Sequence, residues 1–438
     1  MKTPFAYQEE AIERCVKNNQ LVGDECGTGK TLVAIETIRR LRLSGNEVFQ
    51  RPVLVLCRKQ ASLQWVDEIR DQEITDPIYR LEEAGRGFPV EGLEDNAWVI
   101  THHESISYIF EQLYEIPWSV IVTDECHRFK NRKSRRTGEL WRLPSARKIG
   151  LSGTLMERLP TDYWANLHWL YPTQFRSFWS FHDRYVETEL NWAGYRKDIG
   201  LLPSKAVEFA TLLAPVVLQR TKNQVKADLP PKIEQHVTIE MLSAQRALYD
   251  KIRTADDIIV EFDGRDPLVI ANMLALIVRL QQISVDPTLL GFDVGSAKLE
   301  WLQGYLEDNP GIPMAIFTRF RHVATKLAGQ LKAALVVGGK ANTAELFLKG
   351  ETDYIVGTID AMGESLNLQR AHTAIFVDQT WSSISMRQAI DRVHRIDITE
   401  PKTIVYLHSD KSVDKLVRRA LDQKWSEIML IREFINAA

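Results

Sequence analysis

The sequence predicts an α/β protein with two parallel-sheet lobes and a helical insertion between them. Short continuous apolar runs occur near both ends of the 438-residue chain, and amphipathic helical patterns lie between successive runs. Such runs are typical of strands that are buried on both faces of a parallel sheet. Because the two groups of runs lie far apart in sequence, they indicate two similar lobes rather than one large sheet.

The predicted strands of the first lobe are the apolar runs at residues 53–57, 97–100 and 118–123. A short run at 20–22 precedes a helical pattern from Thr31 to Leu43, in which apolar residues recur on one face. The predicted strands of the second lobe are the runs at 314–318, 354–356, 373–377 and 403–407.

Residues 155–290 separate the two groups of strands and have a mostly helical pattern. The aromatic-rich stretch at 160–195 is interpreted as the core of a helical subdomain, because a base-stacking platform would need exposed rings. Leu229-Pro-Pro-Lys232 interrupts the pattern and is the best candidate for an interlobe hinge. The predicted domains are therefore a first lobe at 1–155, a helical extension and hinge at 156–232, a helical protrusion of the second lobe at 233–290, and a second lobe with a C-terminal helix at 291–438.

The composition is that of an intracellular globular protein. Apolar residues make up 45% of the chain, and no run approaches the ~20 apolar residues of a membrane span. The N-terminus becomes acidic before an apolar segment develops, so it does not resemble a signal peptide. The four cysteines form no C-x-x-C pair, which argues against structural zinc or disulfides and favours a reducing compartment.

The net charge does not by itself indicate a nucleic-acid-binding protein, since 55 basic residues face 58 acidic ones. Any such surface must be local. The stretch 128–136 carries six positive charges in nine residues, and a solvated face and a nucleic-acid contact are about equally good interpretations of it.

A phosphate-binding loop is predicted at Gly23–Thr31, where a short strand meets a helix. Gly27, Thr28 and Gly29 would turn backbone N–H groups toward phosphates at the helix N-terminus. Lys30 would reach the β- and γ-phosphates of a nucleotide, and Thr31 would offer its hydroxyl to Mg²⁺. Asp24 occupies the position where the usual pattern has its first glycine.

Two adjacent carboxylates, Asp124 and Glu125, end the strand at 118–123. At the carboxyl end of a strand in the same sheet as a phosphate loop, Asp124 can hold Mg²⁺ while Glu125 polarises the attacking water. His127 adjoins the pair and is a candidate sensor of the γ-phosphate.

These residues resemble the motifs of superfamily 2 helicases, which have two RecA-like lobes. Asp124-Glu-Cys-His127 is similar to the D-E-x-H box, and Leu151-Ser-Gly-Thr154 is similar to the coupling motif of that superfamily. Tyr7-Gln8 lies where these proteins have the glutamine that reads adenine. The resemblance therefore implies that Gln8 contacts the base of ATP.

The second half of the chain resembles the SWI/SNF-type ATPases within this superfamily. Residues 358–368 and 388–397 are similar to their fifth and sixth motifs, and 218–222, 279–287 and 316–318 match further motifs in the same order. Met362 and Ser365 replace two glycines of the fifth motif, and Leu155 replaces a proline of the coupling motif. These departures put the efficiency of coupling in doubt, not the phosphate chemistry.

The resemblance implies an ATP-driven motor that translocates on double-stranded DNA. ATP and Mg²⁺ would bind between the lobes, with Lys30, Thr31 and Asp124 on one side and Arg392 and Arg395, at helical i, i+3 spacing, completing the site from the other. Gly363 and Gln388 are further ATP-binding candidates from the second lobe. The expected contacts to the phosphate backbone of DNA, which carry little sequence information, are Lys59, Ser62, Lys130, Thr318 and Thr358.

Two other functions remain open on the sequence. One is a strand-separating helicase, which a wedge hairpin would distinguish. The other is a clamp that binds ATP and DNA without hydrolysis, against which the intact Glu125, Arg392 and Arg395 argue. We expect a monomer without membrane contact, in the cytoplasm of a bacterium or a phage-infected cell.

Overall fold

The chain forms two compact units. In this computed structural model the described residues up to Val225 belong to the first unit, and those from Pro230 to Asp422 belong to the second. The structure describes residues 2–59, 61–81, 92–156, 159–190, 195–225, 230–254, 259–260, 268–269, 273–338, 342–363, 366–396 and 398–422. No helix within these ranges is long and apolar enough to cross a membrane.

The first unit is built on a parallel sheet, to which its described residues contribute seven strands in the order β3-β4-β2-β5-β6-β1-β9. The strands are β1 Gln20–Val22, β2 Val53–Cys57, β3 Ile78–Arg80, β4 Trp98–His102, β5 Trp118–Asp124, β6 Ser145–Leu151 and β9 Val217–Leu218. All the residues of β1, β2 and β4 are buried, as the continuous apolar runs predict for strands covered on both faces. The α/β fold class predicted for this half of the chain is confirmed.

Helices cover both faces of this sheet. They are α1 Ala6–Lys17, α2 Lys30–Leu43, α3 Ala61–Asp71, α4 Phe110–Glu115, α5 Arg135–Arg142, α6 Thr161–Leu170, α7 Phe178–Tyr185, α8 Ala206–Leu213 and α9 Lys222–Val225. A hairpin of β7 Val186–Leu190 and β8 Arg196–Leu201 follows α7.

Most rings of the aromatic-rich segment pack into the core of the first unit, whereas Trp179 is 61% exposed. Trp164, Trp169 and Phe181 belong to the same buried cluster as Leu54 and Ile121 of the sheet. The core interpretation thus holds for these rings, although the core is the sheet's own and not that of a separate helical subdomain. β9, which lies within the predicted helical extension, is a strand of the first sheet. The sequence does not predict it, because a two-residue strand is too short to leave a pattern.

The second unit contains a second parallel sheet, with six strands among its described residues in the order β10-β17-β16-β13-β15-β14. They are β10 Lys232–Ile239, β13 Met314–Thr318, β14 Ala334–Val336, β15 Tyr354–Thr358, β16 Thr373–Phe376 and β17 Lys402–Ser409. The four apolar runs predicted as strands correspond to β13, β15, β16 and β17. β10 lies at one edge with most of its side chains exposed, which explains why no apolar run marks it.

The helices of the second unit are α10 Ser243–Arg253, α11 Met273–Val285, α12 Ala297–Asp308, α13 Arg321–Leu331, α14 Ala344–Leu348, α15 Ile359–Met362 and α16 Ser383–Val393, and residues 414–422 are also helical. A short antiparallel pair, β11 Ile259–Val260 and β12 Leu268–Val269, lies between α10 and α11. The predicted protrusion at 233–290 therefore contains strands as well as helices.

A buried ion pair joins α12 to the region after β17 in the second unit. Lys298 is fully buried, and its Nζ donates to Asp414 Oδ2 at 2.7 Å and to Val377 O at 3.0 Å. Burial alone would raise the pKa of Asp414, but the Lys298 ammonium and its hydrogen bond hold that pKa below its usual range. Each charge depends on the other, since a buried charge without a partner is strongly unfavourable.

We predict that Lys298→Met lowers the free energy of unfolding of the second unit by about 3–5 kcal/mol at neutral pH, because Asp414 is left buried without its cation. Asp414 with a lowered pKa stabilises the fold above its unfolded-state pKa, and this contribution is lost as the pH falls through the folded pKa. The deficit of the variant should therefore shrink on acidification. Urea unfolding at neutral and acid pH measures this loss of unfolding free energy. The control Lys349→Met, which removes an exposed pair with Glu345, should change the unfolding free energy little. A deficit that is independent of pH would contradict the assigned role of the pair.

Candidate nucleotide-binding site

Three neighbouring strands of the first sheet end at the same level. Val22 of β1 and Asp124 of β5 both lie opposite Leu151 of β6. The phosphate loop, the acidic pair and the segment from Ser152 to Thr154 therefore leave the sheet together at its carboxyl edge, where ligands bind in open parallel sheets.

The phosphate loop turns through two glycines with left-handed backbone. Gly27 has φ 80° and Gly29 has φ 75°, a region that other residues adopt only at a cost in strain. A Cβ on Gly29 would also overlap with Nε2 of Gln8. The loop leads directly into α2, whose first two residues are Lys30 and Thr31.

Lys30 lies across the first half of its own loop. Its Nζ donates to Asp24 O at 2.8 Å and to Glu25 O at 3.0 Å, and the side chain is half-buried. Its positive charge also acts on both Asp124 and Glu125. The ammonium thus contacts the loop and acts on the acidic pair, whereas its binding of the β- and γ-phosphates stays a prediction.

Tyr7 and Gln8 hold the tip of the phosphate loop. The Tyr7 hydroxyl donates to Thr28 O at 2.8 Å, and Gln8 Nε2 donates to the same oxygen at 2.9 Å. Gln8 Oε1 accepts from the Phe5 N–H at 2.9 Å. The structure gives Gln8 a loop-holding role, whereas its contact with adenine stays a prediction.

Asp124 is fixed at the end of β5 by two donors. Trp65 Nε1 donates to its Oδ2 at 3.1 Å, and the Glu125 N–H donates to its Oδ1 at 2.9 Å. Burial and the neighbouring charge of Glu125 raise the pKa of Asp124. The hydroxyl of Thr31 and this carboxylate are hard oxygen ligands, which suit Mg²⁺ when phosphate oxygens and water complete its shell.

Glu125 has an unusual backbone and a lowered pKa. Its φ of 50° is a left-handed conformation, which costs about 1–3 kcal/mol for a non-glycine residue and is most often found at functional sites. Burial alone would raise its pKa, but the hydrogen bond and charge of His127 lower it. The carboxylate is therefore ionised at neutral pH, which a water-polarising group requires.

His127 connects the acidic pair to the coupling motif. Its Nδ1 lies 3.3 Å from Glu125 Oε2 and 3.0 Å from Ser152 Oγ. Ser152 is buried, and its Oγ also accepts from the Thr154 N–H at 3.1 Å. His127 thus links Glu125, the predicted water-polarising residue, to the segment that follows β6. The role of His127 as a γ-phosphate sensor stays a prediction.

His103 belongs to the site, although no sequence motif marks it. Its Nε2 donates to the backbone oxygen of Asp124 at 2.7 Å. Burial lowers the pKa of His103 to about 3, so the ring is neutral and Nε2 carries its single proton. The residue follows β4, two strands away from β5 in the sheet, and only the strand order shows that the two meet.

Two cysteines fit tightly against glycines near the site. A Cβ on Gly153 would overlap with Cys26 Sγ, and one on Gly150 would lie 3.3 Å from Cys126 Sγ. Both cysteines are buried, and burial raises the pKa of Cys126. Their tight packing favours the role of small packing residues over that of reactive thiols.

The predicted DNA contacts of the first unit differ in exposure. Lys59 is exposed and Lys130 is half-buried, but Ser62 is buried and its hydroxyl donates to Lys59 O at 2.8 Å. The Ser62 N–H donates to the same oxygen at 3.3 Å, so a contact from Ser62 to a phosphate would require one of these bonds to break.

Three arginines of the basic stretch at 128–136 have carboxylate partners in the first unit. Glu104 pairs with Arg128 at 2.6 Å and with Arg136 at 3.4 Å, and Glu139 pairs with Arg135 at 2.8 Å. Two carboxylates thus pair with three of the six basic residues, and the stretch keeps a net positive charge.

The predicted DNA contacts of the second unit follow β13 and β15. Thr318 is buried and its hydroxyl donates to Asp378 Oδ1 at 2.6 Å, so this hydroxyl has an internal partner. Thr358 is half-buried at the start of α15.

The fifth and sixth motifs pack against each other in the second unit. A Cβ on Gly363 would lie 2.9 Å from Ile359 O of its own segment and 3.4 Å from the Ala389 nitrogen of α16, so the glycine avoids an overlap within the fifth motif and lies in contact with α16. Arg392 Nε donates to Gly363 O at 2.9 Å, and the Leu368 N–H donates to Arg392 O at 3.0 Å. Gln388 is buried on the same helix.

Arg395 lies beyond the end of α16, which stops at Val393. The expectation that Arg392 and Arg395 project together from one helix at i, i+3 spacing is therefore wrong. His394 ends the helix and its Nε2 donates to Pro230 O at 2.8 Å, which turns the chain before Arg395. Ser365 lies outside the described residues.

Comparison with known proteins gives two family matches along the chain. The SNF2-related domain matches residues 7–289, and the helicase conserved C-terminal domain matches residues 297–397.

Several known proteins resemble the chain over most of its length. Chromatin structure-remodeling complex subunit snf21 of Schizosaccharomyces pombe is 26% identical, over 91% of this chain and 36% of the relative. Putative ATP-dependent helicase/translocase YwqA of Bacillus subtilis is 25% identical, over 86% of this chain and 42% of the relative. The chain thus spans less than half the length of these relatives. A solved structure, the Sulfolobus solfataricus SWI2/SNF2 ATPase core in complex with dsDNA, aligns with TM-score 0.47 and 23% identity over 100% of this chain and 94% of that chain.

The match to the SNF2-related domain covers more than half of the chain and runs through every first-unit motif described above. The chain therefore belongs to the SNF2-related family of superfamily 2 helicases.

Proposed function

We propose that the chain is an ATP-dependent motor that translocates on double-stranded DNA and couples ATP hydrolysis to remodelling of DNA or of protein–DNA complexes. The observation that carries this proposal is the common register at which the Lys30 loop and the Asp124–Glu125 pair leave the first sheet. The fifth and sixth motifs of the second unit, which are of the SWI/SNF type, favour duplex DNA as the track.

Each candidate residue of the first unit has its own role in the proposed ATP hydrolysis. Lys30 binds the β- and γ-phosphates, while the N–H groups at the start of α2 face the same charge. Glu125 orients and polarises the attacking water, and His127 holds Glu125 ionised. Mg²⁺ held by Thr31 and Asp124 would neutralise charge on the phosphates.

The second unit contributes arginines to the transition state in this proposal. Arg392 is held by its bond to Gly363 O, and Arg395 follows the turn at His394. Both would stabilise charge that develops on the leaving phosphates, so they should matter more to turnover than to the binding of ATP.

We predict that duplex DNA stimulates ATP hydrolysis more strongly than RNA does. Phosphate release measured on duplex DNA, single-stranded DNA and RNA of equal length tests this. Stimulation by the duplex should fall steeply between low and moderate salt, because phosphate contacts release counterions. Glu125→Gln, which lacks the water-polarising carboxylate, is the control for contaminating ATPases.

Other outcomes of this measurement favour other functions. Equal stimulation by RNA and duplex DNA would remove the translocase assignment. Displacement of the third strand of a triplex without unwinding of a fork supports translocation, whereas unwinding of the fork indicates a strand-separating helicase. ATP-dependent DNA binding without phosphate release would indicate the non-hydrolysing clamp.

We predict that Arg395→Ala and Lys30→Ala fail in different ways. Arginine fingers contribute roughly 10³–10⁵ in rate, so Arg395→Ala should nearly abolish DNA-stimulated hydrolysis while nucleotide and DNA binding stay within about threefold. Lys30→Ala should weaken ATP binding itself, because it removes a charge that binds the ground state. Nucleotide binding and single-turnover hydrolysis separate the two effects.

The matched control for this pair of variants is Arg253→Ala, which removes an exposed arginine at the end of α10. It should leave hydrolysis unchanged. If Arg395→Ala hydrolyses ATP at the parental rate on duplex DNA, the second unit supplies no catalytic arginine at this position and the motor proposal loses its chemical basis.

A further inference from the structure

The first half of the phosphate loop is bonded to the chain segment that follows β9. The Gly23 N–H donates to Leu218 O at 2.6 Å, and the Glu25 N–H donates to Arg220 O at 3.0 Å. The Lys222 N–H donates in turn to Glu25 Oε2 at 2.9 Å. These bonds continue the parallel pairing of β1 and β9 beyond the end of the sheet.

A buried ion pair closes this contact. Arg220 donates to Asp24 Oδ1 from its backbone N–H at 2.9 Å and from Nε at 3.1 Å, and to Oδ2 from Nη2 at 2.7 Å. The side chains of Asp24 and Arg220 are only 2% and 12% exposed. Arg220 Nη1 also donates to Glu10 at 2.9 Å, but Glu10 is 57% exposed and that pair is screened by water.

The same arginine reaches the residues that hold the tip of the loop. Its guanidinium lies 5.4 Å from the centroid of the Tyr7 ring. Tyr7 and Gln8 both donate to Thr28 O, as described above. Arg220 therefore contacts both Asp24, at the start of the phosphate loop, and Tyr7, which bonds to the tip of the loop at Thr28. We call the pair of Arg220 and Asp24 the Arg220 brace.

The brace holds the part of the loop on which Lys30 rests. Lys30 Nζ donates to the backbone oxygens of Asp24 and Glu25, and the N–H groups of the paired segment fix the same two residues. A shift of Asp24 would consequently move the acceptors of the lysine ammonium.

We propose that Arg220 is a positioning residue for ATP hydrolysis, which acts on Lys30 through Asp24 and links the phosphate loop to the segment that continues toward the second unit. This inference rests on the proposed ATPase function. Stability alone is a weak reason for the pair, because a buried ion pair contributes little more than a well-packed neutral one. Positioning is the property that a neutral pair of similar shape would lose, since bonds to charged groups are shorter and more directional.

The experiment replaces the brace by a neutral pair, Asp24→Asn with Arg220→Gln. The double substitution avoids the unpaired buried carboxylate that Arg220→Ala would leave, so the protein should still fold. The matched control is Arg42→Gln with Asp76→Asn, a pair in the same unit whose arginine is also 12% exposed and which joins α2 to the loop before β3. Melting temperature, KM and kcat on duplex DNA, and the Kd for a fluorescent ATP analogue are measured for the full chain.

We expect the neutral brace to raise KM for ATP and the nucleotide Kd by about tenfold, the equivalent of one charge-assisted hydrogen bond. The affinity for DNA should stay within about twofold, and the melting temperature should change no more than in the control pair. Arg220→Lys keeps the charge but not the two-point contact to Asp24, so its KM should lie between those of the parent and the double variant.

Two outcomes would overturn the inference. One is a neutral brace with parental KM, kcat and nucleotide Kd, and the other is a loss of activity that only follows a fall in melting temperature. The proposed function fails separately, when the parent protein hydrolyses no ATP on any nucleic acid. In that case, a comparison of the nucleotide Kd of the parent with that of the double variant still tests whether the brace positions the phosphate loop.

Discussion

The parallel register of β1, β6 and β5 is the constraint on which the site depends. Because Val22 and Asp124 share one partner on β6, the phosphate loop and the acidic pair begin at one level of one sheet edge. A slip of one residue would turn Asp124 to the opposite face and move it out of line with Lys30. The buried apolar residues on both faces of these strands make such a slip strongly unfavourable, so the hydrophobic core fixes the geometry of the chemistry.

The sequence predicted the parts of the fold that have a periodic or compositional pattern. The long buried strands and the glycine turn before Lys30 were visible because each needs particular residues over several consecutive positions. β9 and β10 were not visible, since one is too short and the other is an exposed edge. His103 was missed, and Arg220 was noted only within the motif at 218–222, for a related reason. Their partners, Asp124 and Asp24, are brought to them by strand order, and no local spacing encodes strand order.

The pattern of charged residues along the sequence predicted their contacts in the structure poorly. The stretch at 128–136 is strongly basic as a string, yet Glu104 and Glu139 take up three of its arginines. Conversely, Asp24 looked like a departure from the glycine pattern and proved to be a buried ion-pair partner. Buried charges must have partners, whereas exposed charges need none. A charged residue that folding buries therefore predicts a specific internal contact, whereas exposed charges do not.

In the second unit, main-chain contacts determine the position of Arg392, the proposed catalytic arginine. Arg392 is bonded through Nε to Gly363 O, and its own carbonyl accepts from Leu368, so its placement follows that of the fifth motif. A Cβ at position 363 would come within 2.9 Å of Ile359 O, so a larger residue there would disturb the fifth motif itself. Arg395 has no such helical support, because His394 bonds to Pro230 and ends the helix. The turn that carries Arg395 is thus tied to the chain just before β10, so the position of this arginine depends on how the second unit begins.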